Sequence, residues 1–300
     1  MRRDVVTSLT DTTKEFTTSV VAFPRFSLRP AMPNGLYLHS SCRLEDLSSM
    51  LAALVKAGGR LDPLAPDIVV VQTPGVARWL SLRLADTLGC AMGVSYLFPR
   101  NFVDWAAAAL LGGKTPAHPD RGVLAWRIFA LLPEISAMPG ADALSGYLAS
   151  GSPLRRRQLS LRLADLFDSY LVFRPELVES WENGSEGGDW QAELWRRIAA
   201  GMPVAHLASL MGEIENAAPP PDFPRRIHLF ALSTLPELYV KLLASLGKMC
   251  EVHLLSFSPC AQYWGDIPGR RAEAAARASG DISDFGQPLL SSMGLQGRDF

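Results

Sequence analysis

Two stretches near the start of the chain combine a short apolar run with apolar positions at helical spacing. The runs begin at Leu36 and Ile68, and each ends in polar turn residues. Behind each run, apolar side chains recur every three or four residues, as on one face of a helix. These positions are Leu44, Leu47, Leu51 and Leu54 after the first run, and Val76, Leu80, Leu84 and Leu88 after the second. Two tandem strand–helix units predict a parallel sheet with helices on its faces.

The turn after the first predicted strand lies where many parallel-sheet folds bind phosphate. This turn, His39 to Arg43, contains hydroxyls but neither glycine nor lysine. A nucleotide-binding loop needs glycines so that backbone amides approach the phosphates, and a lysine for the phosphate charge. The sequence therefore predicts a parallel-sheet domain with no phosphate loop at the position where nucleotide-binding folds carry one, and no cofactor is expected.

A second segment, Gly113-Lys114-Thr115, matches the end of the phosphate-loop motif in a different context. An alanine-rich helical pattern precedes it, where the motif requires a strand. We interpret Gly112 and Gly113 as the end of that helix, and Pro116 as the residue that prevents it from resuming.

The composition excludes a bulk electrostatic attraction to nucleic acid. The 300 residues carry a net charge of −1 and fit one large or two ordinary domains. Any DNA contact must then come from local patches. The arginine clusters are interpreted as solvated helix ends or strand edges, with binding patches as the alternative. They are Arg155–Arg157, Arg196–Arg197, Arg225–Arg226 and Arg270–Arg271.

Cysteine and histidine spacing predicts no metal site. The four cysteines form no CxxC pair and indicate reduced thiols in a cytoplasmic protein. His228 and His253 each lie in a β-rich run, where two imidazoles can approach one another across a sheet. Without further ligands beside them, they are interpreted as hydrogen-bonded sheet histidines.

The pattern along the chain predicts four segments. Residues 1–34 are expected to be an unstructured leader, and 35–115 the first part of an α/β domain. Residues 116–222 have an almost continuous helical pattern, which predicts an all-helical insertion. The β-α-β pattern resumes over 223–300, although the residues after Cys260 are expected to be poorly ordered.

An aromatic stretch and a predicted helix with two aspartates carry candidate DNA-contacting side chains. In the aromatic stretch from Gly93, Asn101 is expected to cap a helix, and the aromatic side chains either stack on bases or anchor that helix to the sheet. Asp165 and Asp168 lie three residues apart on one predicted helix. They are interpreted either as acceptors for base amino groups or as surface acids with Arg174 as an ion-pair partner.

Several well-separated motifs resemble one family, the RecC subunit (gamma chain) of bacterial exodeoxyribonuclease V, in its N-terminal part. They include YLHSSCRLEDL, VVVQTPGVARWL, LADLFDSYLVFRPELVESWE, IHLFALSTLPELYVKLLASLGKMCEVHLL and SPCAQYWGDI, in the same order, and similarity covers residues 36–300. The resemblance implies a superfamily 1 helicase-like domain, inactivated, with a helical insertion. It also implies a non-catalytic subunit that guides the 3′-ended strand of a broken DNA end and scans it for a recombination hotspot.

The resemblance further implies partners and contact residues. RecB-like and RecD-like subunits would supply ATP hydrolysis and strand cleavage in a DNA-repair complex, and the chain would be a fragment of a longer subunit. The implied DNA-contacting residues are Gln72, Arg78, Phe98, Asp165, Leu166, Asp168 and Arg174. Pro74 and Arg78 depart from the family pattern, in which a small hydroxyl residue and a glutamine stand there.

Two other functions compete with this one. An active nucleotide-binding enzyme is opposed by the missing glycine and lysine after the first strand. The other is a helical interaction module that docks partner subunits without binding DNA. Salt-dependent binding to forked or single-stranded DNA would distinguish the DNA-binding subunit from this module.

Overall fold

The computed structural model describes residues 33–57, 66–116, 119–184, 189–201 and 206–260, the backbone of 3–8 and 17–22, and the single residues Ala275, Ala278 and Ser279. The strands are β1 (Arg3–Ser8), β2 (Thr17–Ala22), β3 (Gly35–Ser41), β4 (Asp67–Val71), β5 (Val94–Leu97), β6 (Arg226–Phe230) and β7 (Glu251–Phe257). The helices are α1 (Leu44–Ala57), α2 (Pro74–Leu88), α3 (Pro99–Leu110), α4 (Arg121–Ser136), α5 (Asp142–Leu148), α6 (Pro153–Phe173), α7 (Pro175–Glu182), α8 (Trp190–Ala199), α9 (Leu207–Glu215) and α10 (Glu237–Gly247).

The described strands form one sheet in the order β2-β1-β3-β7-β6-β4-β5. All pairs from β3 to β5 are parallel, which confirms the predicted α/β class with a parallel sheet. β1 pairs antiparallel with both β2 and β3. The two strands therefore depart from the expectation of an unstructured leader over residues 1–34. Their valines and threonines are strong strand formers, although the two segments are too short to show a sustained periodic pattern.

The chain divides into two compact units. We call the first, residues 1–102, 218–235 and 243–300, the sheet unit. We call the second, residues 103–217 and 236–242, the helical unit. The predicted bounds of a helical insertion, 116–222, stay a prediction. The segment after Cys260 expected to be poorly ordered lies outside the described residues, apart from three isolated positions.

Each unit has its own apolar core. In the sheet unit, leucines of α1 and α2 pack on buried side chains of β4, β6 and β7, such as Val69, Phe230 and Leu255. In the helical unit, α4, α6, α7 and α8 surround Phe167, Trp181 and Trp195, each at most 1% exposed. No helix in the described parts of the chain is both long and apolar enough to span a bilayer.

Helix starts follow local capping chemistry, with one correction. The Thr73 hydroxyl accepts from Val76 N–H at the start of α2, and the Asp120 carboxylate accepts from Val123 N–H at the start of α4. The predicted cap at Asn101 is wrong, because α3 already begins at Pro99. Proline is favoured in the first turn, where its missing N–H costs nothing.

Candidate functional site

The carboxyl ends of β4 and β6 lie side by side and carry the first predicted contact residue. Val71 and Phe230 are the paired last residues of these strands. Gln72 follows, and its exposed side chain accepts hydrogen bonds from the N–H (3.2 Å) and the hydroxyl (2.9 Å) of Ser233. In the loop that supplies Ser233, Ala231 has a left-handed φ of 47°, which costs a non-glycine residue about 1–2 kcal/mol. With Oε1 engaged, the Gln72 amide presents its Nε2 donor at the edge where parallel sheets bind ligands.

The amino end of α1 occupies the place of a phosphate cradle but has the wrong charge for one. β3 continues through Ser41, so the turn predicted over residues 39–43 is wrong in length and begins at Cys42. Glu45 and Asp46 stand in the first turn of α1, where the helix dipole favours negative groups. Two carboxylates at this position repel a phosphate, and the turn lacks the glycines and lysine that would offset them.

Arg78 and Phe98 lie in different environments of the sheet unit. Arg78 is exposed in the second turn of α2. Phe98 follows β5, is half-buried, and packs against the apolar core of the unit. Its carbonyl accepts from Phe102 N–H at 2.8 Å, the first backbone bond of α3. These contacts favour the anchoring interpretation of Phe98 over that of a free stacking ring.

The helical unit carries the other four predicted contact residues on α6 and at its end. Asp165, Leu166 and Asp168 lie in α6, and Arg174 joins α6 to α7. Two oxygens of Asp165 pair with the guanidinium of Arg121 at the start of α4, and not with Arg174, the partner named in the surface-acid interpretation. The two side chains are 38% and 64% exposed, and such pairs contribute about 0–1 kcal/mol. Another hydrogen-bonding partner can therefore displace Arg121 at small cost.

The predicted contact residues thus form two groups. Gln72, Arg78 and Phe98 belong to the sheet unit. The group in the helical unit is confined to α6 and its junction with α7. Within each unit the members are exposed or half-buried. Each group can therefore reach a ligand without a change of fold.

Three histidines, rather than the two predicted, stack on one face of the sheet. Tyr37, His253 and His228 occupy one row across β3, β7 and β6. Successive ring centroids are 5.2 and 5.4 Å apart. His39 stacks on His253 at 5.3 Å, and its Nε2 lies 3.0 Å from His253 Nδ1. Sequence reasoning missed His39 because it placed that residue in the turn, whereas alternation along β3 puts it on the face of Tyr37.

An ion pair lies one row further along the same face. Arg226 Nε is 2.6 Å from Glu251 Oε2, and Arg226 Nη1 donates to Leu54 O of α1 at 3.1 Å. Arg226 is 8% exposed, so the interpretation of its cluster as a solvated edge is wrong at this position. His253 Nε2 lies 3.4 Å from the same Glu251 oxygen. The carboxylate places the His253 proton on Nε2, and Nδ1 then accepts from His39.

Burial keeps these imidazoles neutral. It lowers the pKa of His39 to about 3, assisted by the nearby His253. Burial also lowers the pKa of His228 well below its ordinary value, and His253 and Arg226 add to the effect. Neither His228 nitrogen has a hydrogen-bond partner among the described residues, so the prediction of a hydrogen-bonded histidine is wrong there. Burial opposes ionisation of Glu251, but hydrogen bonds from His253 and Arg226 outweigh it and leave the pKa lowered.

The remaining candidates for ligand chemistry have structural contacts. α3 ends at Leu110, and Gly112 and Gly113 follow with φ of 61° and 94°. Lys114 Nζ then lies 2.8 Å from Glu213 Oε2. The described histidines, cysteines and acids include no group of three with the arrangement of a metal site. All four cysteines are free thiols.

Comparison with known proteins shows which family the chain is similar to. Residues 36–300 match the family described as RecC, N-terminal domain. The RecBCD enzyme subunit RecC of Escherichia coli (strain K12) is 31% identical over 88% of this chain and 28% of its own length. The RecC subunits of Haemophilus influenzae (29%; 85% and 26%) and Mycolicibacterium smegmatis (31%; 88% and 25%) give similar values. The chain therefore spans about a quarter of the length of these curated relatives.

Proposed function

The chain belongs to the RecC N-terminal domain family, and from this premise we propose that it serves as a DNA-binding subunit without catalysis of its own. Its partners in this proposal are RecB-like and RecD-like subunits, in a cytoplasmic helicase–nuclease that processes double-strand DNA ends for recombinational repair. The parallel sheet is then an inactivated helicase-like domain of superfamily 1, and the helical unit includes its insertion. The chain guides the 3′-ended strand and scans it for a hotspot sequence.

One observation carries this proposal. The helix that follows the first parallel strand, β3, has Glu45 and Asp46 in its first turn, and no phosphate loop precedes it. A helicase-like subunit with acids at that turn has no means of cradling ATP and acts on DNA by contact alone. The family match supports the proposal of a DNA-processing complex, and the acids at this turn support the proposal of a subunit without ATP hydrolysis.

Two groups of side chains are proposed to make the contacts. Gln72 offers an amide donor to a base edge at the sheet, and Arg78 offers a charge to a phosphate. On the helical unit, Asp165 and Asp168 accept from exocyclic amino groups, while Arg174 binds a phosphate or base. Phe98 is proposed to add an apolar surface to the contact on the sheet unit, and Leu166 to add one to the contact on the helical unit.

Binding of the full chain to a forked duplex over a salt series, with ATP hydrolysis followed in the same samples, tests the proposal. We expect salt-dependent binding without hydrolysis, since phosphate contacts release counterions. Gln72→Ala and Arg174→Ala are each expected to weaken single-strand engagement by about tenfold, as loss of a base-directed hydrogen bond does. In the assembled complex, the ATPase activity of the partners should persist.

Matched variants separate contact from positioning. Ser233→Ala keeps Gln72 but removes one donor to its amide, so it should weaken binding less than Gln72→Ala. Lys114→Ala removes a cation paired with Glu213 and should leave both binding and hydrolysis unchanged. Hydrolysis that disappears in Lys114→Ala would overturn the proposal, as would DNA binding and hotspot response that survive both Gln72→Ala and Arg174→Ala.

A further inference from the structure

Two arginines of α6 lie over two aromatic rings of α4 in the helical unit. The guanidinium carbon of Arg157 is 4.3 Å from the centroid of the Trp126 ring, and that of Arg156 is 3.7 Å from the Phe129 ring. The two rings meet edge to face, with centroids 5.4 Å apart. We call these four residues and the adjoining Arg155 the α4–α6 ledge. Its rings hold the charges in place without neutralising them.

The ledge is unusually exposed for an aromatic surface. Trp126 remains 57% exposed although Arg157 lies over its ring. Val123 of α4 and Leu154 of α6 are 50% and 66% exposed. Single exposed apolar residues are ordinary, but these three lie on the same pair of packed helices. The helix pair therefore carries exposed apolar side chains as well as the row of cations.

The charge of the ledge is not balanced by neighbouring acids. Among the described residues, no carboxylate forms an ion pair with Arg155, Arg156 or Arg157. Buried N–H groups of Arg156 and Arg157 also lack a hydrogen-bond acceptor. The first half of α6, from Pro153 to Arg162, contains four arginines and no acid. Such a patch attracts anions even though the whole chain is slightly acidic.

We infer that the α4–α6 ledge binds single-stranded DNA, with Trp126 stacking on an unpaired base and Arg155, Arg156 and Arg157 attracting the phosphates. Aromatic rings beside a basic row are the combination by which proteins hold single strands without reading sequence. A duplex keeps its bases stacked on one another, so an exposed indole favours an unpaired strand. This inference rests on the proposed function, because it adds a holding contact to the scanning residues.

The position of the ledge on α6 fits this role. Arg157 and Asp165 lie eight residues apart on one helix, which corresponds to about 12 Å. Stacked nucleotides advance about 3.4 Å each along a strand, so three or four of them cover that length. A strand held at the ledge thus passes within reach of Asp165, Leu166 and Asp168. The ledge would keep it in place while those residues meet successive bases.

Binding of a short labelled oligothymidylate to the full chain, measured by anisotropy and by tryptophan quenching, tests the inference. Trp126→Leu should weaken binding about tenfold and remove most of the quenching, and Trp126→Phe should restore part of the affinity. Replacing Arg155, Arg156 and Arg157 by glutamine should lower the salt slope by about 2, which is three contacts at about 0.7 each. Arg155→Glu alone, which leaves both rings covered, should weaken binding while preserving the fold.

Controls use groups of the same type outside the ledge. Tyr147 is an aromatic residue of α5 that is 44% exposed, and Arg83 lies 5.6 Å from the Trp79 ring on α2. Tyr147→Leu and Arg83→Gln should leave affinity and salt slope unchanged. Wild-type binding that survives Trp126→Leu and Arg155→Glu would overturn the inference and leave the proposed function standing. Wild-type protein that binds no DNA would overturn both, and a ledge that instead binds a polyglutamate peptide would overturn the inference in favour of an acidic protein partner.

Discussion

Buried histidines lie in both units, but the two units treat them differently. In the sheet unit, His228 is fully buried, and among the described residues neither ring nitrogen has a hydrogen-bond partner. In the helical unit, His206 is 3% exposed and caps α9 through a bond from Ser209 N–H to Nδ1 of 3.3 Å. Its Nε2 lies 3.4 Å from Glu182. His228 is thus held by ring stacking on His253, whereas His206 is held by hydrogen bonds.

The difference follows from backbone geometry. Parallel strands place equivalent side chains side by side, so imidazoles in one row stack whether or not their nitrogens find partners. A helix start leaves N–H groups without acceptors, and a side chain there is used as a cap. Buried polar groups therefore fix strand register in the sheet unit, where a shift by one residue would move every side chain to the other face. In the helical unit they fix a helix end.

The largest effect is expected at the ion pair beside the stacked histidines. Glu251→Gln leaves the buried Arg226 guanidinium without its carboxylate, which should lower the free energy of unfolding by about 3–5 kcal/mol. Urea denaturation of wild type and variant at neutral pH measures this loss. The sheet unit should unfold earlier, and the aromatic core around Phe167 in the helical unit should respond less.

A double variant serves as the control for this prediction. Arg226→Met with Glu251→Leu removes both charges, and well-packed apolar replacements of buried pairs are often neutral or stabilising. The double variant should therefore be more stable than Glu251→Gln. Equal losses in both variants would show that packing, and not an uncompensated charge, holds this row together.

A smaller effect is expected at His206 and His228, where replacement by leucine should change stability differently. His206→Leu removes the acceptor of Ser209 N–H and should destabilise by about 1–3 kcal/mol. His228→Leu removes a buried ring without hydrogen bonds, so at neutral pH stability should stay unchanged or rise. Thermal unfolding of both variants measures the contrast. A loss at His228 as large as that at His206 would mean that stacking on His253 stabilises more than burial of unbonded nitrogens costs.

The buried histidines of the sheet unit should make stability depend on pH. Burial lowers the pKa of His39, His228 and His253, so below the ordinary histidine pKa of about 6.5 the unfolded chain binds protons that the folded chain does not. Stability is then lost as pH falls, by up to about 1.4 kcal/mol per pH unit for each such histidine. In His228→Leu the unfolded state should bind about one proton fewer than in wild type. Stability should therefore fall less steeply as pH decreases, by up to about 1.4 kcal/mol per pH unit. Measurements above pH of about 4.5 keep Glu251 ionised, since its pKa is lowered from that of an ordinary glutamate.

The sequence predicted the sheet better than its chemistry. The tandem strand–helix units were recognisable because Val69 to Val71 and the leucines of α1 and α2 follow simple periods. The missing phosphate loop was recognisable from residue types alone. The strand order, with β6 and β7 between β3 and β4, was not predictable, because non-local pairing leaves no local pattern.

The contacts of the candidate site were less predictable still. Asp165 pairs with Arg121, which is 44 residues away in sequence, so nearness to Arg174 along the chain was misleading. His39 looked like a turn residue because a polar end of a strand and a turn share the same composition. Arg156 and Arg157 looked like a solvated helix end, since the rings they cover lie on another helix.

The smallest effects are expected at helix starts, where a side-chain cap should contribute the same stability in either unit. Asp120→Ala in the helical unit and Thr73→Ala in the sheet unit remove side-chain caps, and each should destabilise by about 1 kcal/mol. Asn101 is exposed within α3. Asn101→Ala should therefore be neutral or stabilise by about 0.5 kcal/mol, because alanine has the higher helix propensity. Chemical denaturation distinguishes the signs. A loss at Asn101 equal to that at Asp120 would mean that Asn101 caps α3 in solution and that the bond from Phe102 N–H to the Phe98 carbonyl does not begin the helix.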